Sequence, residues 1–390
     1  MSSSDGPSAA DQQLIDHAAR HDLTITAKQL VGWRRARLLP GNIPGGGLGQ
    51  GRGSTSTPPP ESFDLVVALG RVSGRGKRPT DLALLLFAEG LPVPEKTVRA
   101  AFRAAVDTAT LPDEGDGAYD GLDLDERLDR FSHQFPDSAQ TVTLVPARAR
   151  RIDERIARIL GKLPAELVEL DRNAEPPRLT PQDATLTAVT ATLGGSVPLQ
   201  DIGALLRAMS PGLSANPFAS LVETNQEDVP EAAARIIADD GSLTFIPDGD
   251  ARDLLRALAG TASLEDLAAG WRTAAQVRGW ALDLCQRAER ELDAGQLGEA
   301  VEEWLHGRLL PSGVSVTETL RDRRWAPSKG AFSALMLLFQ CQMFVLLDGL
   351  VPGCQWHVLQ IPRVLPPPVR DLILSKVVGP EASAAGEAMS

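Results

Sequence analysis

Sixteen residues near the N-terminus constrain this chain most: Ile25-Thr26-Ala27-Lys28-Gln29-Leu30-Val31-Gly32-Trp33-Arg34-Arg35-Ala36-Arg37-Leu38-Leu39-Pro40. Thr26 followed three residues later by Gln29 is a capping-box pattern, in which each side chain bonds the other residue's backbone N–H. Ile25 and Leu30 stand where a hydrophobic staple belongs. Pro40 ends the segment, since a helix stops at or before a proline. The spacing predicts a helix over 27–39. At 3.6 residues per turn, Leu30 and Trp33 fall on one side, and Lys28, Val31, Gly32 and Arg35 on the other. The first side suits a core. The second presents two cations around a residue with no side chain. Gly32 costs the helix roughly 1 kcal/mol relative to alanine, and close approach to another surface, such as a phosphate strand, would be a reason to keep it. A solvated amphipathic helix with an ordinary basic face fits the same residues.

A glycine-rich arm, residues 41–57, follows at once and has no core-forming pattern. Such a segment can form an extended hairpin or loop. Arg52, between two glycines, is placed to lie along a minor groove or a phosphate strand. The arm lacks the G-x-x-x-x-G-K-[ST] spacing of a nucleotide-phosphate loop. A plain flexible linker is the alternative. Around this core a short helix is predicted over 11–19. A second over 61–73 places Phe63, Val66, Val67 and Gly70 on one stripe. A third, capped by Thr80, turns Leu82, Leu85 and Leu86 inward and ends near Gly90. A fourth opens at Pro94 and runs through Val98, Phe102 and Val106. Between the second and third lies a basic loop with Arg71, Arg75, Lys77 and Arg78. Helix, helix, arm, then further helices read as a winged helix-turn-helix.

Residues 29–40 resemble the DNA-binding domain of MerR-type regulators, which has a capped helix of the form T-L-R-Y-Y-E-R-x-G-L-L-P, then a wing and two more helices. The chain follows that frame without a gap: Trp33 keeps the aromatic, Arg35 the basic residue, and Leu38-Leu39-Pro40 the ending. Val31 stands where the family has a DNA-contacting arginine, Gly32 where it has a tyrosine, and Arg37 where it has the turn glycine. The arm is longer than the family's wing and lacks its aromatic. The resemblance covers roughly the first 105 residues. It implies a winged helix-turn-helix that binds duplex DNA, and a dimerisation helix in the following part, but no effector, metal or promoter mechanism. On this reading Lys28, Val31, Gly32 and Arg35 face the major groove, while Arg34, Arg37, Arg52, Arg71, Arg75, Lys77 and Arg78 are phosphate or wing candidates.

Charge supplies an independent check. Residues 20–78 hold ten Arg or Lys against three Asp or Glu, a net of +7, which leaves −19 for the remainder of a chain that totals −12. A basic head on an acidic body fits docking of one end on nucleic acid. Arginine outnumbers lysine heavily and alanine is abundant, as in high-GC bacterial genomes, so no single arginine is diagnostic. A protein–protein interaction module, with the basic head on an acidic partner, is the other function these features allow.

The chain is long enough for two or three domains. A DNA-binding domain over 1–110 is expected, then an acidic linker over 111–123. A helical region over 124–378 would serve oligomerisation, an effector or a partner, with a further division near 174–182, and a disordered tail would follow over 379–390. Residues 149–170 read as one charged helix. Further helices are expected over 185–193, 199–209, 230–239, 248–259, 263–292, 295–308 and 329–347, with strand-like runs at 243–246 and 358–361. The fold class is thus mostly α. The most hydrophobic segment, 331–347, is short for a membrane span and carries Gln340 and Gln342. It reads as a buried central helix, or as one at a dimer interface or ligand cavity. Five of the six tryptophans fall in the last third and read as core-filling residues, or as the lining of a pocket for an apolar or planar ligand.

Three scattered cysteines form no disulfide framework. No signal peptide is evident, and the cytoplasm is the expected compartment. The sequence holds no H-E-x-x-H, no G-x-S-x-G and no cysteine pair at zinc spacing. Its histidines are dispersed, so neither catalysis, metal nor cofactor is expected. The expected partners are duplex DNA, a second copy of the chain, and a small-molecule or protein effector at the C-terminal region, with no membrane.

Overall fold

The computed structural model describes residues 7–47, 54–74, 76–109, 147–160, 197–198, 204, 242–243, 251–307, 325–350, 359 and 365–377. Within these residues the chain is mostly helical. It divides into two compact units: one holds residues 1–109, 259–271 and 326–332, the other 110–258, 272–325 and 333–390.

The first unit begins with α1 (Ala9–Ala19) and α2 (Ala27–Arg35), followed by strands β1 (Ile43–Gly47) and β2 (Ser54–Thr57). Helices α3 (Glu61–Val72), α4 (Pro79–Ala88) and α5 (Glu95–Thr108) complete the run. α1 packs on α2, α3 and β2; α3 packs on α4, and α4 on α5. Ser8 caps α1, its Oγ accepting from the Asp11 N–H at 3.1 Å, and Leu14 and Ala18 point into the core. The β strands are antiparallel, Ile43 opposite Thr57 and Pro44 opposite Ser56, with a register shift before Gly47 meets Ser54. On α3, Leu65, Val66, Val67 and Leu69 are buried, whereas Phe63 is only partly covered and meets the His17 ring edge-on at 5.1 Å. Gly70 lets the turn after α1 close on α3: a Cβ there would sit 3.0 Å from Leu23 Cδ1 and 3.1 Å from Ile25 Cδ1.

Several helix ends share one device. A residue in left-handed conformation follows the last turn, and two N–H groups fold back onto the final carbonyls, the Schellman arrangement. At α4 the left-handed residue is Gly90 (φ 74°), with Leu91 N–H bonded to Leu86 O. At α1 it is Asp22 (φ 60°), with Leu23 N–H on Ala18 O. α4 itself starts one residue before the Thr80 cap expected from sequence. Arg78 is its N-cap and Pro79 its first residue, where the missing N–H would have had no partner anyway.

Residues 1–110 do not close this unit alone. The Phe102 ring packs between Phe87 at 5.8 Å and Trp271 at 6.4 Å. Arg99 Nη1 donates to Ala259 O at 3.2 Å and to Ala262 O at 2.8 Å. The first unit's N-terminal run ends at Ala109, and its core recruits residues from much later in the chain.

The second unit is built on α6 (Ala147–Leu160), the greater parts of α7 (Ala251–Thr261) and α8 (Leu264–Asp293), and α9 (Glu299–Gly307). To these it adds most of α10 (Pro327–Leu350), all of α11 (Pro367–Val377), and a small pair of strands, β3 (Val197–Pro198) with β4 (Ser242–Leu243). Ile152 and Ile156 pack with Leu284, Ala288 and Leu292 against Val301 and Trp304. Trp304 Nε1 donates to Asp153 Oδ1 at 2.9 Å, and Trp280 Nε1 to Glu303 Oε1 at 3.0 Å. Arg148 forms a two-point bridge to Glu289, both contacts 2.9 Å. Glu291 accepts from the N–H groups of Ala300 and Val301 and so caps α9.

Several expectations change here. Gly295 does not start a helix; it terminates α8 with φ 69°, and α9 begins at Glu299. Leu359, expected in a strand-like run, is helical and buried. α11 is a further helix beyond those expected from the sequence, and Pro367 is its first residue. From Ala334 to Cys341 every residue of α10 is buried, more than two full turns, while Gln342 and Val345 further along are exposed. Burial pushes the Cys341 thiol up to about 12. Among the described residues no helix is long and apolar enough to cross a membrane. The acidic linker, the division near 174–182, the helices over 185–193 and 230–239, most of that over 199–209, and the tail lie outside the described residues.

Candidate nucleic-acid interface

Helix α2 is fixed at both ends by local chemistry. At its start the capping box forms as the spacing predicts: Thr26 Oγ1 accepts from the Gln29 N–H at 3.2 Å, and Gln29 Oε1 accepts from the Thr26 N–H at 2.8 Å. Ile25 and Leu30 are both buried. At its end Arg37 is left-handed (φ 57°). The Leu38 N–H bonds Trp33 O at 2.9 Å and the Arg37 N–H bonds Arg34 O at 2.9 Å, completing the Schellman geometry. Leu38 and Trp33 are buried beside that turn. The helix therefore ends at Arg35, four residues short of the predicted 39, and residues 36–39 form the turn out of it. An L-residue in this conformation costs roughly 1–2 kcal/mol more than glycine, so this turn forms without the residue that suits it best.

One side of α2 is exposed: Lys28, Val31, Gly32 and Arg35. Val31 keeps 51% of its surface in water, unusual for a β-branched apolar side chain. A Cβ on Gly32 would meet nothing within 4 Å. Packing inside the protein therefore gives no reason for a glycine there.

Arg34 is placed differently from expectation. Its Nη2 lies 2.6 Å from Asp11 Oδ1 and donates to Asn42 Oδ1 at 2.9 Å, while Nε donates to Pro40 O at 3.3 Å. The guanidinium is thus committed to joining α1, α2 and the start of the arm, and not to a phosphate contact. Burial pushes the Asp11 carboxyl up, but hydrogen bonds from Arg34 and Ser8 and the Arg34 charge outweigh it, leaving the group below the usual carboxylate range. Asp11 and Asn42 carried no sequence signal, because their partner is distant along the chain.

Arg37 is exposed and borders an open cavity of about 620 Å³ between the α2 turn and the start of α5. Lys96, Thr97 and Arg99 line its other side. Thr97 Oγ1 donates to Arg37 O at 3.3 Å, tying α5 to the turn. None of these α5 residues stood out in the sequence. Arg71, Lys77 and Arg78 are exposed on the last turn of α3 and the loop after it. Arg52 and Arg75 lie outside the described residues. Among the described residues no group of His, Cys, Asp and Glu is arranged to hold a metal ion.

No protein-family model, no curated protein and no solved structure matches this chain.

Proposed function

We propose that this protein is a DNA-binding transcriptional regulator whose N-terminal unit acts as a MerR-like winged helix-turn-helix. α2 is the reading helix, and β1 and β2 with the glycine-rich residues between them in sequence are the wing. Lys28 and Arg35 enter the major groove. Arg37, Arg52, Arg71, Arg75, Lys77 and Arg78 meet phosphates or the minor groove. The acidic remainder supplies oligomerisation or an effector site, and the working form is a homo-oligomer, since one reading helix covers only a few base pairs.

The observation that carries this reading is Gly32. It weakens a short helix by about 1 kcal/mol, sits on the exposed basic face, and has open space where its side chain would be. A backbone that must approach a phosphate strand or a groove wall explains such a residue.

The test is an anisotropy titration of the full chain with duplex DNA across salt concentrations. Five phosphate contacts would give a log–log slope of about −4.5. Absence of binding even at low salt would remove the proposal, and capture of an acidic protein with no affinity for DNA would point to the interaction-module reading instead.

A further inference from the structure

We propose that Val31 reads the 5-methyl group of a thymine, so that the preferred site of this protein contains a thymine recognised by its methyl alone; this rests on the DNA-binding reading above. The exposed face of α2 carries two cations, a glycine and this one large apolar side chain. Gln29 is also exposed, but its Oε1 is held in the capping box by the Thr26 N–H and hydroxyl. Lys28 and Arg35 sit three residues before and four after Val31, one turn away on either side. Charge draws this face onto a polyanion, and Val31 then lies at the centre of what is covered.

Local physics does not favour valine at this position. It has a lower helix propensity than alanine, and half of its surface stays in contact with water. What it offers is a rigid pair of methyl groups, since one rotamer dominates for valine in a helix. Hydrogen-bond donors and acceptors dominate the floor of the major groove, and its apolar feature is the thymine methyl. Open space at Gly32 lets the helix backbone come close enough for a side chain as short as valine to reach it. Removing one methyl from an apolar contact weakens it by about fourfold.

The experiment starts by selecting duplexes from a random-sequence library with the full chain. The selected duplex is then remade with each thymine in turn replaced by deoxyuridine, which deletes only the methyl. We expect one position per half-site to lose about fourfold in affinity with the wild-type protein and to lose almost nothing with Val31→Ala, whose helical content circular dichroism should find unchanged or raised. If deoxyuridine is neutral everywhere, or equally costly for both proteins, Val31 does not read a methyl and the DNA-binding reading stands. If the selected duplex contains no thymine, the Val31 role is likewise overturned. If no sequence is enriched at all, the DNA-binding reading falls and takes the Val31 role with it.

Discussion

Asp11 Oδ1 and Arg34 Nη2 lie 2.6 Å apart, an ion pair between the first turn of α1 and the last turn of α2, with side chains only 13% and 19% exposed. Because Arg34 also holds Asn42 and Pro40, one side chain orients two helices and the arm. Arg34→Ala would leave a mostly covered carboxylate without its cation. It should cost about 2–3 kcal/mol, read as a lower midpoint in thermal or urea unfolding of the full chain. A loss below about 0.5 kcal/mol would show that the pair does not organise the head.

The same pair makes a pH prediction. The Asp11 carboxyl is held below its ordinary value, with hydrogen bonds and charge from Arg34 overcoming the effect of burial. A group depressed on folding stabilises above its unfolded pKa, about 4, and that contribution fades as pH falls through the folded value. The stability difference between wild type and Asp11→Asn should therefore be constant from pH 7 to about pH 5 and shrink below about pH 4. A difference that instead grew on acidification would contradict this linkage.

Arg37 should show stability and binding moving in opposite directions. Arg37→Gly removes the left-handed penalty at φ 57° and should raise stability by about 0.5–1 kcal/mol once the added freedom of the unfolded chain is subtracted. It also deletes a proposed phosphate contact, so the salt slope for DNA should become shallower by about 0.9. Melting curves and salt titrations of the same preparation test both halves.

Two glycines in helices should respond with opposite sign. Gly32→Ala has room for its methyl and should gain about 1 kcal/mol. Gly32→Glu should also stay folded while losing DNA affinity through bulk and charge. At Gly70 the incoming Cβ meets Leu23 and Ile25 at 3.0 and 3.1 Å, and the larger Gly70→Val should cost about 1–3 kcal/mol by overpacking. Normal DNA binding by a folded Gly32→Glu protein would show that α2 is not the reading helix.

The parts legible in the sequence were those set by residues three or four apart. The Thr26–Gln29 box, the buried Leu30 and Trp33, and the exposed Lys28, Val31, Gly32 and Arg35 all follow from the local period. A proline can open a helix as well as end one. Pro79 opens α4 and Pro367 opens α11, because a first turn does not use the N–H that proline lacks. Gly295 reads as a beginning in the sequence and is an ending in the fold, since glycine at either end of a short gap looks alike until the bonds of the last turn are seen. Arg34 pairs with Asp11, 23 positions earlier and on another helix. Nothing local distinguishes an arginine that faces solvent from one that faces a distant carboxylate.

The reliance of Phe102 and Arg99 on Trp271, Ala259 and Ala262 has a consequence during synthesis. A nascent chain that has released residue 109 from the ribosome still lacks the groups that cover Phe102 and satisfy Arg99. At roughly 5–20 residues per second they arrive on the order of 10–30 s later. Throughout that interval α2, the proposed reading helix, sits on an unfinished support. A polypeptide terminated early would carry every proposed DNA contact and still lack a completed head. On the proposed DNA-binding reading, occupancy of the genome would then be reserved for chains translated through residue 332, the last residue of the first unit, so truncated products would not compete for the same sites.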